Sequence, residues 1–311
     1  MTIARRSLLP LLFLVFLLSG CASAYKQVAG LAIGLDRERA GLERKEVALE
    51  DGLRYVYLEG GKGEPVMLLH GFGGNKDNFT RSARHLTSHY RVIIPDHIGF
   101  GESSRPADAD YTPAAQAERL RRLAQALGIR TVHLGGNSMG GQIAMAYAAL
   151  YPKEVGSLWL LNPAGIWNAP RSELAHIVLG TGRNPLIARS EDEFAETFAF
   201  VMSDPPFVPR PILNVFAQER IRNADLEERI FATIATDSMV QRVSGMDTPT
   251  LIVWGDGDRV IHVDTAQVLH KLMPRSQVVV MQGVGHLPMI ERPKESAEDY
   301  LRFRAAVGHG K

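Results

Sequence analysis

The sequence predicts an α/β protein built on a mostly parallel, doubly wound sheet with one helical insertion, and three observations carry that prediction. Short β-rich runs at residues 54–58, 66–70, 92–95, 132–135, 157–161, 251–254 and 278–281 alternate with helical or loop segments. Several of these runs are apolar throughout, as strands are when helices cover both faces of a parallel sheet. The alternation lapses once, at about residues 164–245, where Pro170, Pro185, Pro205, Pro206, Pro209 and Pro211 accompany Phe194, Phe198 and Phe200. A chain of 311 residues, 45% of them apolar, has material for one large core plus such an insertion, or for two small domains.

Lysine plus arginine number 35 against 34 acidic residues, and no basic stripe with interleaved aromatics occurs, so a nucleic-acid partner is set aside. The single cysteine, Cys21, excludes an intrachain disulfide or a cysteine metal cluster, and no His-Glu-x-x-His is present. Neither a metal nor a cofactor is implied.

At the amino terminus, Arg5 and Arg6 precede an apolar run at 8–18 and then Ser19-Gly20-Cys21-Ala22, the anatomy of an export signal over residues 1–20. As a helix the run spans only ~16 Å against a hydrocarbon core of ~30 Å. Leu18-Ser19-Gly20-Cys21 resembles the lipobox of bacterial lipoproteins, which implies acylation of Cys21. The alternative is an uncleaved anchor, extended through Tyr25 to roughly the lower length limit for a span. Either way the body is exported and membrane-tethered. Residues 21–45, with a charged run at 36–46, read as a helical or mobile juxtamembrane spacer outside the core.

The remaining elements follow in order. The run 66–70 leads into His70-Gly71-Phe72-Gly73-Gly74, and 92–95 leads into a glycine-rich turn beginning at Asp96. Helices are expected at 113–127, 139–150, 263–272 and 293–304, with two more in the insertion at about 191–202 and 211–222. This divides the chain into a core, 46–163 and 246–311, and a helical cap, 164–245, inserted where it would cover the carboxyl ends of the strands. A long irregular stretch inside a compact domain is usually functional.

The chemistry starts at Gly136-Asn137-Ser138-Met139-Gly140, a Gly-x-Ser-x-Gly between a strand and an alanine-rich helix. So sharp a turn strains the central residue, exposes its hydroxyl and needs glycine on both sides. A serine hydroxyl is a poor nucleophile at neutral pH, so an imidazole must take its proton and a carboxylate must hold that imidazole. His286, in Gly283-Val284-Gly285-His286 just past the last strand, is the candidate base. His70, His97 and His133 read as structural. Asp258 is the candidate acid, preferred to Asp256 because it stands two residues further into the turn, and to Asp96, which suits fixing its own loop. Backbone N–H groups of Phe72 and Met139 are the candidate oxyanion donors.

With these motifs in the order serine, acid, histidine, the chain resembles the α/β-hydrolase family over roughly residues 47–304. HGFGGNKDNF at 70–79, GNSMGG at 136–141 and HLPMIERP at 286–293 are similar to bacterial membrane-associated lipases, esterases and phospholipases A. The resemblance implies an α/β-hydrolase fold and hydrolysis of a carboxylic ester. Together with the insertion and tether, it motivates a lipid or other long-chain acyl ester as substrate. Relatives that open epoxides or displace halide carry aspartate where this chain has Ser138. Carbon–carbon bond hydrolases share the GNSMGG likeness but have an aromatic residue soon after the histidine, where Leu287 and Pro288 stand here. The rival of another class is a ligand-binding surface lipoprotein without catalysis.

Overall fold

Eight strands pair into one sheet: β1 (Leu42–Ala48), β2 (Arg54–Gly60), β3 (Pro65–Leu69), β4 (Arg91–Pro95), β5 (Val132–Asn137), β6 (Val155–Leu161), β7 (Thr250–Gly255) and β8 (Ser276–Met281). The computed structural model describes residues 9–308, with side chains from residue 23 onward. The spatial order is β1-β2-β4-β3-β5-β6-β7-β8; β2 runs antiparallel to both its neighbours and every other pairing is parallel. All residues of β5 and β7 are buried, as central strands of a parallel sheet covered on both faces are.

Alternation along each strand splits the core in two. Met67, Leu69, Ile93, Leu134, Leu160 and Trp254 face one layer, while their neighbours Val66, Leu68, Val92, Ile94, Leu161 and Val253 face the other. Each such aliphatic side chain contributes about 1.5–3 kcal/mol by leaving water.

The helices are α1 (Leu9–Arg39), α2 (Thr80–Ala83), α3 (Pro113–Ala126), α4 (Met139–Leu150), α5 (Glu173–Thr181), α6 (Glu191–Phe200), α7 (Arg210–Thr236), α8 (Val240–Val243), α9 (Thr265–Leu272), α10 (Pro288–Glu291) and α11 (Pro293–Gly308). Thr112 caps α3 by accepting from the Ala115 N–H at 3.2 Å, with Pro113 preset in the first turn. Helix α4 is buried from Met139 to Ala148, and its alanines let it lie close against the sheet. With α3 it covers the first layer; α11, through Ala297, Tyr300 and Phe303, covers the second.

Helices α5 to α8 fill the interval between β6 and β7. Two details differ from the sequence expectation. Helix α7 does not stop near residue 222, because Ala224, Ile230 and Ile234 continue its buried face past the poor helix formers Asn223 and Asp225. Helix α5 was not expected at all, although Ser172 caps it at the Ala175 N–H, 3.2 Å away, and Gly182 ends it at φ +70°.

The reading of residues 21–45 as a spacer outside the core is corrected. Helix α1 packs against α7 with Ala29 buried, Ala40 and Leu42 join the core, and β1 crosses the expected boundary at 45/46 while pairing with β2 from Leu42↔Gly60 to Ala48↔Arg54. Charge misled the expectation. Strand β1 is an edge strand, where charged side chains face water and block further pairing. Its Arg44 and Lys45 reach Glu102 and Glu59 at 2.7 and 3.0 Å. The structure describes only the backbone of Cys21, on α1; its side chain, those of residues 9–20 and all of residues 1–8 lie outside the described set. Among the described residues no helix is long and apolar enough to cross a membrane.

Candidate active site

Ser138 stands between the end of β5 and the start of α4 with φ 53° and ψ −118°, one of two non-glycine residues with positive φ among the described residues. Such a conformation costs on the order of 1–3 kcal/mol and persists only where its surroundings enforce it. Here the Ser138 N–H donates to the Leu161 carbonyl at 3.1 Å, and its own carbonyl accepts from Gln142 and Ala164 at 3.0 Å each. The flanking glycines are steric requirements: a Cβ on Gly136 would lie 2.4 Å from the Gly140 carbonyl carbon, and one on Gly140 would lie 2.1 Å from the Leu69 oxygen. The serine is half-buried and opens onto a cavity of about 410 Å³ that His286 and Phe72 also line.

His286 and Asp258 meet in the structure. Imidazole Nδ1 lies 2.8 Å from Asp258 Oδ2, and both side chains are buried. With its proton on Nδ1, facing the carboxylate, the ring has Nε2 left as acceptor. Asp258 is itself fixed, since its Oδ1 accepts from the Val260 and Ile261 N–H groups at 2.8 and 3.0 Å. Asp256 makes a different contact, accepting from the Gly283 N–H at 2.7 Å and so tying the end of β7 to the loop after β8. Asp96 is enclosed by the Lys76 ammonium and by the N–H groups of Lys76 and Glu102, each at 2.7 Å, and holds its own turn.

The loop 70–74 passes directly against the serine: a Cβ on Gly71 would sit 3.2 Å from Ser138 Cβ. Buried His70 supports this loop. Its Nε2 accepts from the His97 N–H at 3.1 Å, so Nδ1 carries the proton and donates to the Gly71 carbonyl at 2.8 Å. Burial pushes the His70 imidazole down to about 4 and that of His97 well below its ordinary value, which keeps both neutral. Met139, the first residue of α4, is buried behind Ser138.

Three residues of the site escaped the sequence reading. Asn162, at φ 45°, donates from Nδ2 to Asp258 Oδ2 at 2.6 Å. Asparagine tolerates the left-handed region, and its place between a strand end and Pro163 was the available signal. Asn137 donates from Nδ2 to the carbonyls of Leu161 and His286 at 3.0 and 2.9 Å, joining the strand that leads into Ser138 to the histidine loop. Glu291, in the HLPMIERP segment, accepts at its buried carboxylate from the N–H groups of Ser203 (2.8 Å), Asp204 (2.9 Å), Gly285 (3.0 Å) and Leu287 (3.3 Å). The His286 N–H donates to the Val201 carbonyl at 2.8 Å, so the insertion and the histidine loop are joined through both strands of contact.

The cavity wall is mainly apolar: Phe194 and Phe198 of α6, Val215 and Phe216 of α7, Met289 of α10 and Ile33 of α1 all line it. No group of His, Cys, Asp or Glu among the described residues could hold a metal ion.

A parallel sheet carrying a strained serine, a histidine–carboxylate pair and a glycine-rich loop at neighbouring strand ends defines a recognisable class. A family model described as the alpha/beta hydrolase fold matches residues 64–293, and the chain belongs to this family. It is 46% identical to "Lipase 1" of Psychrobacter immobilis, over 93% of each chain. It is also 46% identical to "Lipase 3" of Moraxella sp. (strain TA144), over 92% of this chain and 93% of the relative. Among solved structures it is similar to a bacterial membrane phospholipase A described as a virulence factor, with a TM-score of 0.88, 38% identity, and coverage of 96% of this chain and 98% of that one.

Proposed function

We propose that this chain, a carboxylic ester hydrolase, cleaves lipid or other long-chain acyl esters through an acyl-enzyme on Ser138. The carrying observation is the His286–Asp258 contact of 2.8 Å, brought to the same apolar cavity that the strained serine enters. In this reading the Ser138 hydroxyl adds to the ester carbonyl as His286 Nε2 takes its proton. The Phe72 and Met139 N–H groups receive the developing oxyanion. The imidazolium then protonates the departing alcohol, and water, activated by the same ring, releases the acid and restores the serine. Asp258 keeps the ring in the right tautomer, and Asn162 keeps Asp258 in place.

The apolar wall supports a long acyl group, since each methylene leaving water contributes roughly 0.8 kcal/mol. The lipases and the membrane phospholipase A among its relatives support the same substrate class. We further propose that the chain is exported and held at the cell envelope by an acylated Cys21 facing the periplasm, an uncleaved transmembrane segment being the alternative. Helix α1 would then lead from the tether straight to the cavity, where Ile33 and Asp36 form part of the wall. Tyr25, Val28, Leu31 and Leu35 on that helix stay exposed, as a surface lying near lipid would.

Hydrolysis profiles over acyl chains of two to sixteen carbons test the substrate. Preference for the long chains is expected, and strict preference for acetyl refutes it. A fluorophosphonate adduct at Ser138, absent in Ser138→Ala, separates an enzyme from a binding lipoprotein. Release of Cys21→Ala from the membrane fraction supports the acyl tether, and retention supports the transmembrane one.

A further inference from the structure

One cationic side chain of the insertion is engaged in a way the hydrolytic reading leaves unused. Arg220, on α7, has a side chain only 11% exposed, and Glu227, two turns further along the same helix, is 3% exposed. The Arg220 Nε donates to both Glu227 oxygens at 2.8 and 2.9 Å. One terminal nitrogen donates to the Gly73 carbonyl at 3.0 Å, the other to the Leu186 carbonyl at 2.6 Å. The guanidinium carbon lies 5.7 Å from the centre of the Phe72 ring, which also meets Phe100 and Phe231 edge-on at 5.8 and 5.4 Å.

These contacts fall on the loop whose Phe72 N–H faces the reacting carbonyl in the reading above. The loop is a tight turn, closed by the Gly74 N–H on the Gly71 carbonyl at 3.1 Å, with Gly73 at φ +66°. A Cβ on Gly73 would stand 2.1 Å from the guanidinium carbon, so glycine is needed there for the arginine as well as for the turn. His70 holds the Gly71 carbonyl from the sheet side and Arg220 holds the Gly73 carbonyl from the insertion side. The Gly71 carbonyl shares one planar peptide unit with the Phe72 N–H and the Gly73 carbonyl lies two units further on, so the turn that carries this N–H is pinned at both ends, at its far end by Arg220.

We propose that Arg220, held by Glu227, is a positioning residue that aims the Phe72 N–H at the oxyanion and makes this aim depend on α7 being seated. This rests on the acyl-enzyme reading. Lysine cannot replace it, because one ammonium cannot reach Glu227 and two carbonyls with a planar fork.

The test uses the full-length protein in detergent with two ligands of equal chain length. An alkyl trifluoromethyl ketone forms an alkoxide on Ser138, with the serine proton passing to His286, and so needs the oxyanion donors. The matching alkyl ether fills the cavity without reacting. In Arg220→Lys, kcat is expected to fall about 10–100-fold with KM little changed, since a donor misplaced by a fraction of an ångström loses much of its effect. Ketone affinity should fall in proportion while ether affinity holds. A merely structural role would weaken both ligands together, so a ketone-to-ether affinity ratio equal to wild type overturns the proposal. If Arg220→Lys does not fold, the same ratio in the isosteric Glu227→Gln decides. Ser138→Ala, run in parallel, keeps the two readings apart. Turnover surviving that change refutes the acyl-enzyme reading itself, whereas an unchanged ratio beside a dead Ser138→Ala refutes only the role of Arg220.

Discussion

Replacing Glu291 by glutamine isolates the carboxylate that fastens the histidine loop to the insertion. The side chain is 8% exposed, and Oε2 accepts from Ser203 and Asp204 while Oε1 accepts from Leu287, with the Gly285 N–H shared at 3.0 Å from each oxygen. Glutamine keeps the shape but supplies one acceptor. In its best orientation the amide oxygen replaces Oε2 and its NH2 then faces the Leu287 N–H, donor against donor. One bond is lost, and the others weaken from the ~1.5–3 kcal/mol of a charged acceptor toward the ~0.5–1.5 kcal/mol of a neutral one. Relief from burying an ion returns part of this. The net loss is on the order of 2–4 kcal/mol, equivalent to a fall in Tm of about 3–6 °C in a chain of this size. Because His286 rides on the same loop, kcat should fall about tenfold or more. Scanning calorimetry and turnover of a medium-chain ester measure both. A variant with wild-type Tm and wild-type kcat would refute the claim that this carboxylate holds the loop.

Two further outcomes are expected. Burial pushes His70 and His133 each down to about 4, and His97 well below its usual value, so the folded state keeps neutral rings that the unfolded chain protonates below about pH 6.5. Stability should therefore be level above that pH and decline as pH falls toward 4, by about 3 kcal/mol for the fully buried His70 alone; urea midpoints that do not move between pH 7.5 and 4.5 would contradict this. At Asn162, glycine relieves the φ of 45° but removes the donor to Asp258, whereas alanine removes the donor and keeps the strain. Both should lower kcat, and Asn162→Ala should also be less stable than Asn162→Gly by about 1 kcal/mol in denaturant titrations.

How much could be read from the chain follows from where each signal resides. Several strands announced themselves as continuous apolar runs, because burial on both faces leaves few polar positions. Ser138 and His286 were legible because glycines crowd around them, and the close approaches at Gly136, Gly140 and Gly285 show why those glycines are there. Asn162, Glu291 and Arg220 were not read as site residues, since the partners that give them their roles, Asp258, Ser203 and Gly73, lie 96, 88 and 147 positions away along the chain. Strand β1 was obscured by four consecutive charged or polar positions, Glu43 to Glu46, which an edge strand accommodates and a central one would not. The length of α7 was obscured by propensity, which its tertiary packing overrode.

The seating of α1 and β1 bears on how the protein can be handled. Anyone seeking a soluble form would cut just before residue 46, treating what precedes as a leash. That cut removes most of β1 and strips β2 of its outer partner, leaving an unpaired row of N–H and C=O groups ready to recruit another molecule. It also takes Ile33 and the Arg37–Asp77 ion pair, 2.7 Å long, from beside the reaction chamber. A trimmed form that begins near residue 23 retains all of these, and should stay dispersed where the shorter one precipitates.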